Sequence, residues 1–235
     1  MKNSETAAPA GLLSFPDAAT RVAALVARLD ELLRTACARK GHAVLAVSGG
    51  RSPVPLFEAL RMQPLPWSNI RVTLVDERLV AADHPDSNEG LVRRHLLQDR
   101  AAAARLQGLA GDPAAGLERC AEEADRQALR ADVAILGMGD DGHTASLFAG
   151  AAGYEQAMDP QCPRTYVGLV PPQAPHPRIS LSLRALLEVP DLLLSIEGEH
   201  KRMLFASACA EPGSVLPIAR LLHARRAQLP SYWSP

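Results

Sequence analysis

The sequence predicts a three-layer αβα fold built on a mainly parallel, Rossmann-like sheet. Compact apolar runs of strand length recur at residues 43–47, 70–75, 132–136 and 192–196. Segments of helical period separate them, which is the alternation of a parallel sheet covered on both faces. The runs stop at glycine or at charged residues, as strands do where an open α/β sheet presents its ligand-binding edge.

Taken in order, residues 1–15 read as a loose end or a first edge strand around 12–15. Asp17 is a suitable N-cap, and Val22, Leu25, Val26, Leu29, Leu32 and Leu33 form an apolar stripe for a helix to about residue 40. Gly41 stops it. The strand at 43–47 leads into Ser48-Gly49-Gly50-Arg51-Ser52-Pro53 and a helix over about 55–61. Pro64 and Pro66 break the chain before the strand at 70–75, which ends on Asp76-Glu77-Arg78. A polar loop at 82–88 enters a helix through about 97. A short strand at 105–109 and a charged helix over about 114–130 precede the strand at 132–136. Gly137, Gly139 and Gly142 then allow a tight turn, with a helix starting over 144–148. Residues 154–163 read as loop and 166–170 as a strand, followed by a stiff connector at Pro171, Pro172, Pro175 and Pro177 that is a candidate cover for the sheet edge. Residues 178–182 alternate polar with apolar, and 183 onward turns helical. The strand at 192–196 ends on Glu197-Gly198, helices follow near 199–208 and 214–226, and Tyr232-Trp233 form a packed tail.

At 235 residues, 47% hydrophobic and 22% charged, the chain can bury a substantial core, and without a convincing linker it is expected to form one domain over 1–235. A formal net charge of −1 argues against nucleic acid or an anionic membrane as partner. The basic pairs Arg93-Arg94 and Arg225-Arg226 read as solvated helix faces. Cys37, Cys120, Cys162 and Cys209 are widely spaced, without metal-ligand spacing, and fit a reducing compartment. The first residues lack the apolar core of a signal peptide, and no run approaches the roughly 18 apolar residues of a membrane span. A cytoplasmic location is expected.

Four polar clusters, at 48–52, 76–78, 137–143 and 197–201, should converge where the strands' carboxyl ends open on one rim. The Ser48-Gly49-Gly50-Arg51-Ser52 turn offers backbone N–H groups, hydroxyls and a guanidinium at a helix start, which suits a phosphate. It lacks the Gly-Lys-Ser/Thr ending of a P-loop, and Ala46 stands where a nucleophile elbow needs glycine. Gly137-x-Gly139-x-x-Gly142 has dinucleotide-fingerprint spacing, but Asp140 and Asp141 would repel a pyrophosphate there. His143, set at an expected helix start, should be kept neutral by the helix dipole and so accept a proton. Asp141 can hold its other ring nitrogen and fix the tautomer. Arg178 and Lys201 add cations near the rim. Each cluster alone also reads as a solvated loop; four meeting at one edge are harder to explain that way.

Together these motifs resemble the glucosamine-6-phosphate isomerase/6-phosphogluconolactonase family, and its lactonase branch in particular. The matching segments run in the family's order: Ser48-Gly49-Gly50-Arg51-Ser52-Pro53, Asp76-Glu77-Arg78, Asp86-Ser87-Asn88, residues 137–148 (GMGDDGHTASLF), Arg178-Ile179-Ser180 and Gly198-Glu199-His200-Lys201. The resemblance implies hydrolysis of 6-phospho-D-glucono-1,5-lactone to 6-phosphogluconate in the oxidative pentose phosphate pathway, without metal or organic cofactor. By family position His143 would activate a water, Asp141 would orient His143, and Arg78 would supply positive charge near the carbonyl. Ser48, Gly49, Gly50, Arg51, Ser52, Arg178 and Lys201 would hold the phosphate, with Asp76 and Asn88 lining the sugar site. Ester hydrolysis independently requires a base for the water and positive charge for the oxyanion. The implied partner is the small lactone, acting on a monomer or small homo-oligomer.

Two alternatives compete. The amino-sugar phosphate deaminase/isomerase branch resembles Asp-Glu-Tyr at the second cluster and Asn-Glu-Pro-Gly after its histidine. Here Arg78 replaces the tyrosine, and Ser146-Leu147-Phe148-Ala149-Gly150 offers no glutamate for ring opening. A non-catalytic sugar-phosphate sensor could use the same pocket, but nothing resembles a DNA-reading helix or an effector domain.

Overall fold

In the computed structural model, which describes residues 11–211, 213–225 and 229–235, the apolar runs become strands as their burial requires. The strands are β1 (Leu12–Ser14), β2 (Ala43–Val47), β3 (Ile70–Leu74), β4 (Asp76–Arg78), β5 (Arg105–Gln107), β6 (Val133–Leu136), β7 (Tyr166–Leu169), β8 (Arg178–Leu181), β9 (Asp191–Glu197) and β10 (Ser231–Ser234). The helices are α1 (Ala18–Lys40), α2 (Val54–Leu60), α3 (Asn88–His95), α4 (Leu117–Arg126), α5 (Tyr154–Ala157), α6 (Leu183–Glu188), α7 (Glu199–Ala210) and α8 (Pro217–Ala224).

Seven strands form a parallel sheet in the order β1-β10-β9-β6-β2-β3-β5, with helices flanking it. The αβα class predicted from the alternation is the observed one. β2 is an interior strand with β3 on one side and β6 on the other: the chain steps from β2 out to β3 and β5, then returns to place β6 on the opposite side of β2. The carboxyl ends of β2 and β6 therefore flank a crevice, where open sheets hold ligands.

The long helix forms where its stripe and caps require. The Asp17 carboxylate accepts from the Thr20 N–H at 2.7 Å, and the Gly41 N–H donates to the Cys37 carbonyl at 2.8 Å. Leu25, Leu29, Leu32 and Leu33 are buried along one face, which packs on β2, β6 and β10.

The second sheet, β4-β8-β7, is antiparallel and was not foreseen as a separate layer. Val75 is the joint. Its N–H donates to Val47 in the first sheet (2.9 Å), and its carbonyl accepts from Leu181 beside the second (2.9 Å). Tyr166 crosses the same seam: its hydroxyl is buried and donates to the Leu74 carbonyl at 2.7 Å. Burial pushes that phenol well above its ordinary pKa. One continuous apolar cluster runs through both sheets.

Several elements differ from expectation. Residues 144–148 form turns rather than a helix start, because side chains capture the backbone instead. Thr144 Oγ1 donates to the Gly137 carbonyl (2.9 Å), Ser180 Oγ accepts from the Ser146 N–H (3.2 Å), and Ala145 sits at φ +51°. The first helix after the turn is the short α5, inside a stretch read as loop. Asp76-Glu77-Arg78 is a strand, not a loop end. Tyr232 and Trp233 belong to β10, which lies between β1 and β9 in the sheet. Arg225 does not face solvent alone, since its guanidinium donates to the Val189 carbonyl after α6. The loose end expected over the first ten residues, and Arg226, lie outside the described residues. Among the described residues no helix is long and apolar enough to cross a membrane.

Tyr166→Phe should cost about 1–3 kcal/mol by leaving the buried Leu74 carbonyl without its side-chain donor. Urea unfolding should show a lower midpoint with an unchanged slope and an unchanged far-ultraviolet spectrum.

Candidate active site

The strand ends do converge. A cavity of about 210 Å³ opens at the carboxyl edge of β2, β6 and β9, on a scale suited to a small metabolite rather than a dinucleotide. Its polar lining includes Ser48, Gly49, Gly50, Ser52, Asp76, Arg78, Asn88, His143 and Lys201; Val22, Leu25, Pro53 and Leu56 supply apolar wall.

His143 is fixed by three contacts. Asp141 Oδ1 accepts from the His143 backbone N–H (3.1 Å) and from ring Nδ1 (2.5 Å). An ionised carboxylate only accepts, so Nδ1 carries a proton, and in the neutral ring Nε2 is the nitrogen with the lone pair. The ring lies over Phe148, with centroids 4.0 Å apart and an interplanar angle of 31°. Its other side faces Gly139, where an added Cβ would lie 2.2 Å from ring atoms. Gly139 also closes the turn, its N–H donating to the His143 carbonyl at 2.8 Å and its carbonyl accepting from the Gly142 N–H at 3.1 Å. Partial burial alone would push the Asp141 carboxyl up, but the hydrogen bonds from His143 outweigh it and hold the group below its ordinary value. No helix begins at His143, so the dipole expected to keep its ring neutral is not there; the Asp141 contact sets the tautomer.

The opposite wall comes from β4 and α3. Ser146 Oγ donates to Asp76 Oδ2 at 2.5 Å, and Asn88 Nδ2 donates to the Asp76 carbonyl at 2.8 Å. Asn88 also lies against Gly49, where a Cβ would fall 1.8 Å from the amide oxygen. Only glycine allows the two loops to touch there. Arg78 reaches the cavity with Nη1 donating to the Asp86 carbonyl at 2.5 Å.

Lys201, in the first turn of α7, lines the cavity from the β9 side, 3.7 Å from Asp140. Ser48 Oγ is buried with no hydrogen-bond partner among the described residues. A buried polar atom left unpaired is costly, and one on a cavity wall is a place for a ligand. Two sequence-predicted residues stand apart. Arg51 is exposed and does not line the cavity, and Arg178 lies behind Arg78, its register partner across β4 and β8. Arg178 is 5% exposed with Nη1 unpartnered, and burial, then the Arg78 charge, pushes its guanidinium down from its ordinary pKa.

The family model for glucosamine-6-phosphate isomerases/6-phosphogluconolactonase matches residues 16–230. The chain belongs to this family. A 6-phosphogluconolactonase of Pseudomonas aeruginosa is 46% identical, with both chains covered in full. One from Mesorhizobium japonicum is 42% identical over 94% of each chain. The crystal structure of a 6-phosphogluconolactonase from Shewanella baltica superposes with a TM-score of 0.87 at 37% identity, over 95% of this chain and 97% of that one.

Residues that sequence reading did not single out complete this member's site. Arg21 of α1 is buried on the cavity wall, where it pairs with Glu197 and donates to Ser195 Oγ (2.8 Å) and the Ile196 carbonyl (3.2 Å), leaving Nε unpartnered. Its place on an apolar helical stripe was the signal available. Glu77 is 1% exposed and accepts from the N–H groups of Arg78 (2.7 Å), Asn88 (2.8 Å) and Glu89 (2.6 Å) and from Ser87 Oγ (3.1 Å).

Because the folded Asp141 carboxyl titrates below its ordinary 3.8, the stabilisation from its contact with His143 is fully present above that value and is lost only as pH falls through the lower folded one. At neutral pH, ¹⁵N spectra of the His143 imidazole should show the Nδ1–H tautomer, and Asp141→Ala should replace it with an exchanging mixture of both.

Proposed function

We propose that the chain hydrolyses 6-phospho-D-glucono-1,5-lactone to 6-phosphogluconate, the reaction for which its most similar relatives are named. The observation that carries the reading is the His143 ring, held through Nδ1 by Asp141 at a cavity that also carries Arg78 and Lys201. Membership of the family makes a sugar phosphate the natural ligand class, and the unpaired Ser48 hydroxyl suits a phosphate oxygen.

In this mechanism the phosphate rests on the Ser48-Gly49-Gly50 turn, Ser52 and Lys201, at the mouth of β2. Arg51, outside the cavity, is left with a peripheral part, and Arg178 acts through the field it adds behind Arg78. Asp76 and Asn88 face the sugar hydroxyls. His143 Nε2 takes a proton from a water as the water oxygen bonds to the lactone carbonyl carbon. Asp141 offsets the charge of the resulting imidazolium. The carbonyl oxygen becomes an oxyanion beside the Arg78 guanidinium. Collapse re-forms the carbonyl and breaks the bond to the ring oxygen, which receives the proton back from Nε2. The products are the carboxylic acid, which ionises, and the freed hydroxyl. A cytoplasmic setting fits a water-soluble substrate of this kind.

The amino-sugar branch shares the fold, as a monomeric glucosamine-6-phosphate deaminase with a TM-score of 0.72 at 16% identity illustrates. An assay offering both substrates separates the branches: purified protein should accelerate lactone opening and leave glucosamine 6-phosphate unchanged. His143→Ala should lower kcat by about 10²–10⁴-fold while 6-phosphogluconate still binds by calorimetry. Full turnover in that variant would remove the proposed base, and binding without turnover in the unaltered protein would favour a sensor.

A further inference from the structure

Outside the cavity, His84, Asp86 and His176 meet at its rim. They come from two loops some ninety residues apart: the polar loop before α3 and the proline-rich connector before β8. One potential ligand atom from each lies within 4.8 Å of the other two. His176 Nε2 is 3.0 Å from Asp86 Oδ2, and His84 Nδ1 is 4.0 Å from the same oxygen. The two imidazoles stand edge to face, 5.3 Å apart. His176 holds its place from a left-handed backbone, φ +68°, which β-carbon-bearing residues adopt at a cost. All three side chains remain partly exposed, so an ion has a path in.

We propose that His84, Asp86 and His176 bind a borderline transition-metal dication of the zinc class, and that the bound ion pins the connector to the 81–86 loop and slows turnover. Two imidazoles and one carboxylate are the donor set such ions prefer, whereas magnesium and calcium favour all-oxygen sites. Bonds of about 2.0–2.2 Å to a tetrahedral ion place ligand atoms roughly 3.4 Å apart, between the two separations seen here. Little rearrangement is needed. His176 Nε2 now donates to the carboxylate, and the ring must present its Nε2 lone pair instead, with the proton on Nδ1, to ligate. His84 Nδ1, which accepts from the Asp86 N–H at 3.1 Å, must turn its lone pair from that amide to the ion. A fourth position stays open to water. The Arg78 guanidinium, bonded to the Asp86 carbonyl, repels the ion and lowers its affinity.

The coupling has a short route. The Leu79 N–H donates to the Pro177 carbonyl at 2.9 Å, so connector and β4 already touch beside Arg78. An ion fastening His176 to the Asp86 loop fixes the backbone that positions Arg78 and restricts the approach to the cavity. The coupling rests on the hydrolase reading; the binding does not.

The test uses the full chain, stripped with chelator and titrated with Co²⁺ and Zn²⁺. One equivalent of Co²⁺ should bind with visible d–d absorption, and Zn²⁺ should displace it with loss of that absorption. His84→Gln and His176→Gln should each weaken binding by at least about tenfold while metal-free turnover is unchanged, which also shows that they fold. His143→Ala should bind normally. Absence of a one-equivalent site, or binding undiminished in either glutamine variant, overturns the site. Loss of binding in His143→Ala assigns the metal to the catalytic histidine and overturns it as well. Zn²⁺ should lower turnover in the unaltered protein and not in His84→Gln; binding without any change in turnover overturns the coupling and leaves the hydrolase reading intact.

Discussion

The buried carboxylate of Glu77 is the constraint on which the wall opposite His143 depends. Two residues of β4 and the first turn of α3 have no sequence continuity, yet both must be held against the cavity. Glu77 joins them by accepting from three backbone N–H groups and one hydroxyl. The cost shows in its titration: burial pushes the carboxyl up from its ordinary value although the hydrogen bonds pull the other way. Below the ordinary value the proton is bound in both folded and unfolded states and nothing is lost. As pH rises through the raised folded value the charge must be carried without water, and that share of stability declines. Four donors aimed at one carboxylate keep the decline tolerable. Arg78 and Asn88 thus face the cavity because the residue between them in the chain's logic, and not in the cavity, is a satisfied anion.

On the other side the constraint is steric and local. The turn after β6 reverses direction within a few residues, and the His143 ring occupies the volume a side chain at position 139 would need. A helix beginning at residue 144 would pull Ser146 away from Asp76 and Ser180. The chain instead places Ala145 at φ +51°, a strain of about 1–3 kcal/mol, and recovers it through buried hydrogen bonds that join this turn to β4 and β8. Both halves of the site are therefore tied to one another through Asp76.

That arrangement explains what could be read from the sequence. Strands 43–47 and 132–136 announce themselves because a strand buried on both faces must be apolar throughout, and the Asp17-to-Gly41 helix does so because its caps and stripe agree. The strand-end clusters could be foreseen for the same topological reason. The second sheet could not: β4 is three charged residues, and its strand character comes from pairing with β8, a partner a hundred residues away. The turn over 144–148 was misread because Thr-Ala-Ser-Leu-Phe has no local feature that forbids a helix; what forbids it is Asp76. Arg21 went unread because it adjoins an apolar stripe, and only its pairing with Glu197 across the sheet shows it as cavity wall. β10 escaped because Tyr232 and Trp233 are adjacent and flanked by serines, in a segment too short for a periodic signal.

The arginine pair behind the oxyanion position shows how these constraints meet in chemistry. Arg78 and Arg178 face each other in register across β4 and β8, and two like charges so placed repel. The buried member answers with a guanidinium pushed below its ordinary pKa and with Nη1 unpartnered. Asp76, Glu77 and Asp86 offset part of that charge, but Asp76 is engaged by Ser146 and Glu77 by its four donors. The remaining positive charge reaches the cavity through Arg78, which lines it. In the proposed reaction the uncharged lactone carbonyl would gain little from such a field, whereas an oxyanion developing beside Arg78 would gain far more. On that proposal the repulsion between the two strands would be relieved most in the transition state, which is the condition for a charge to accelerate a reaction rather than merely bind its substrate.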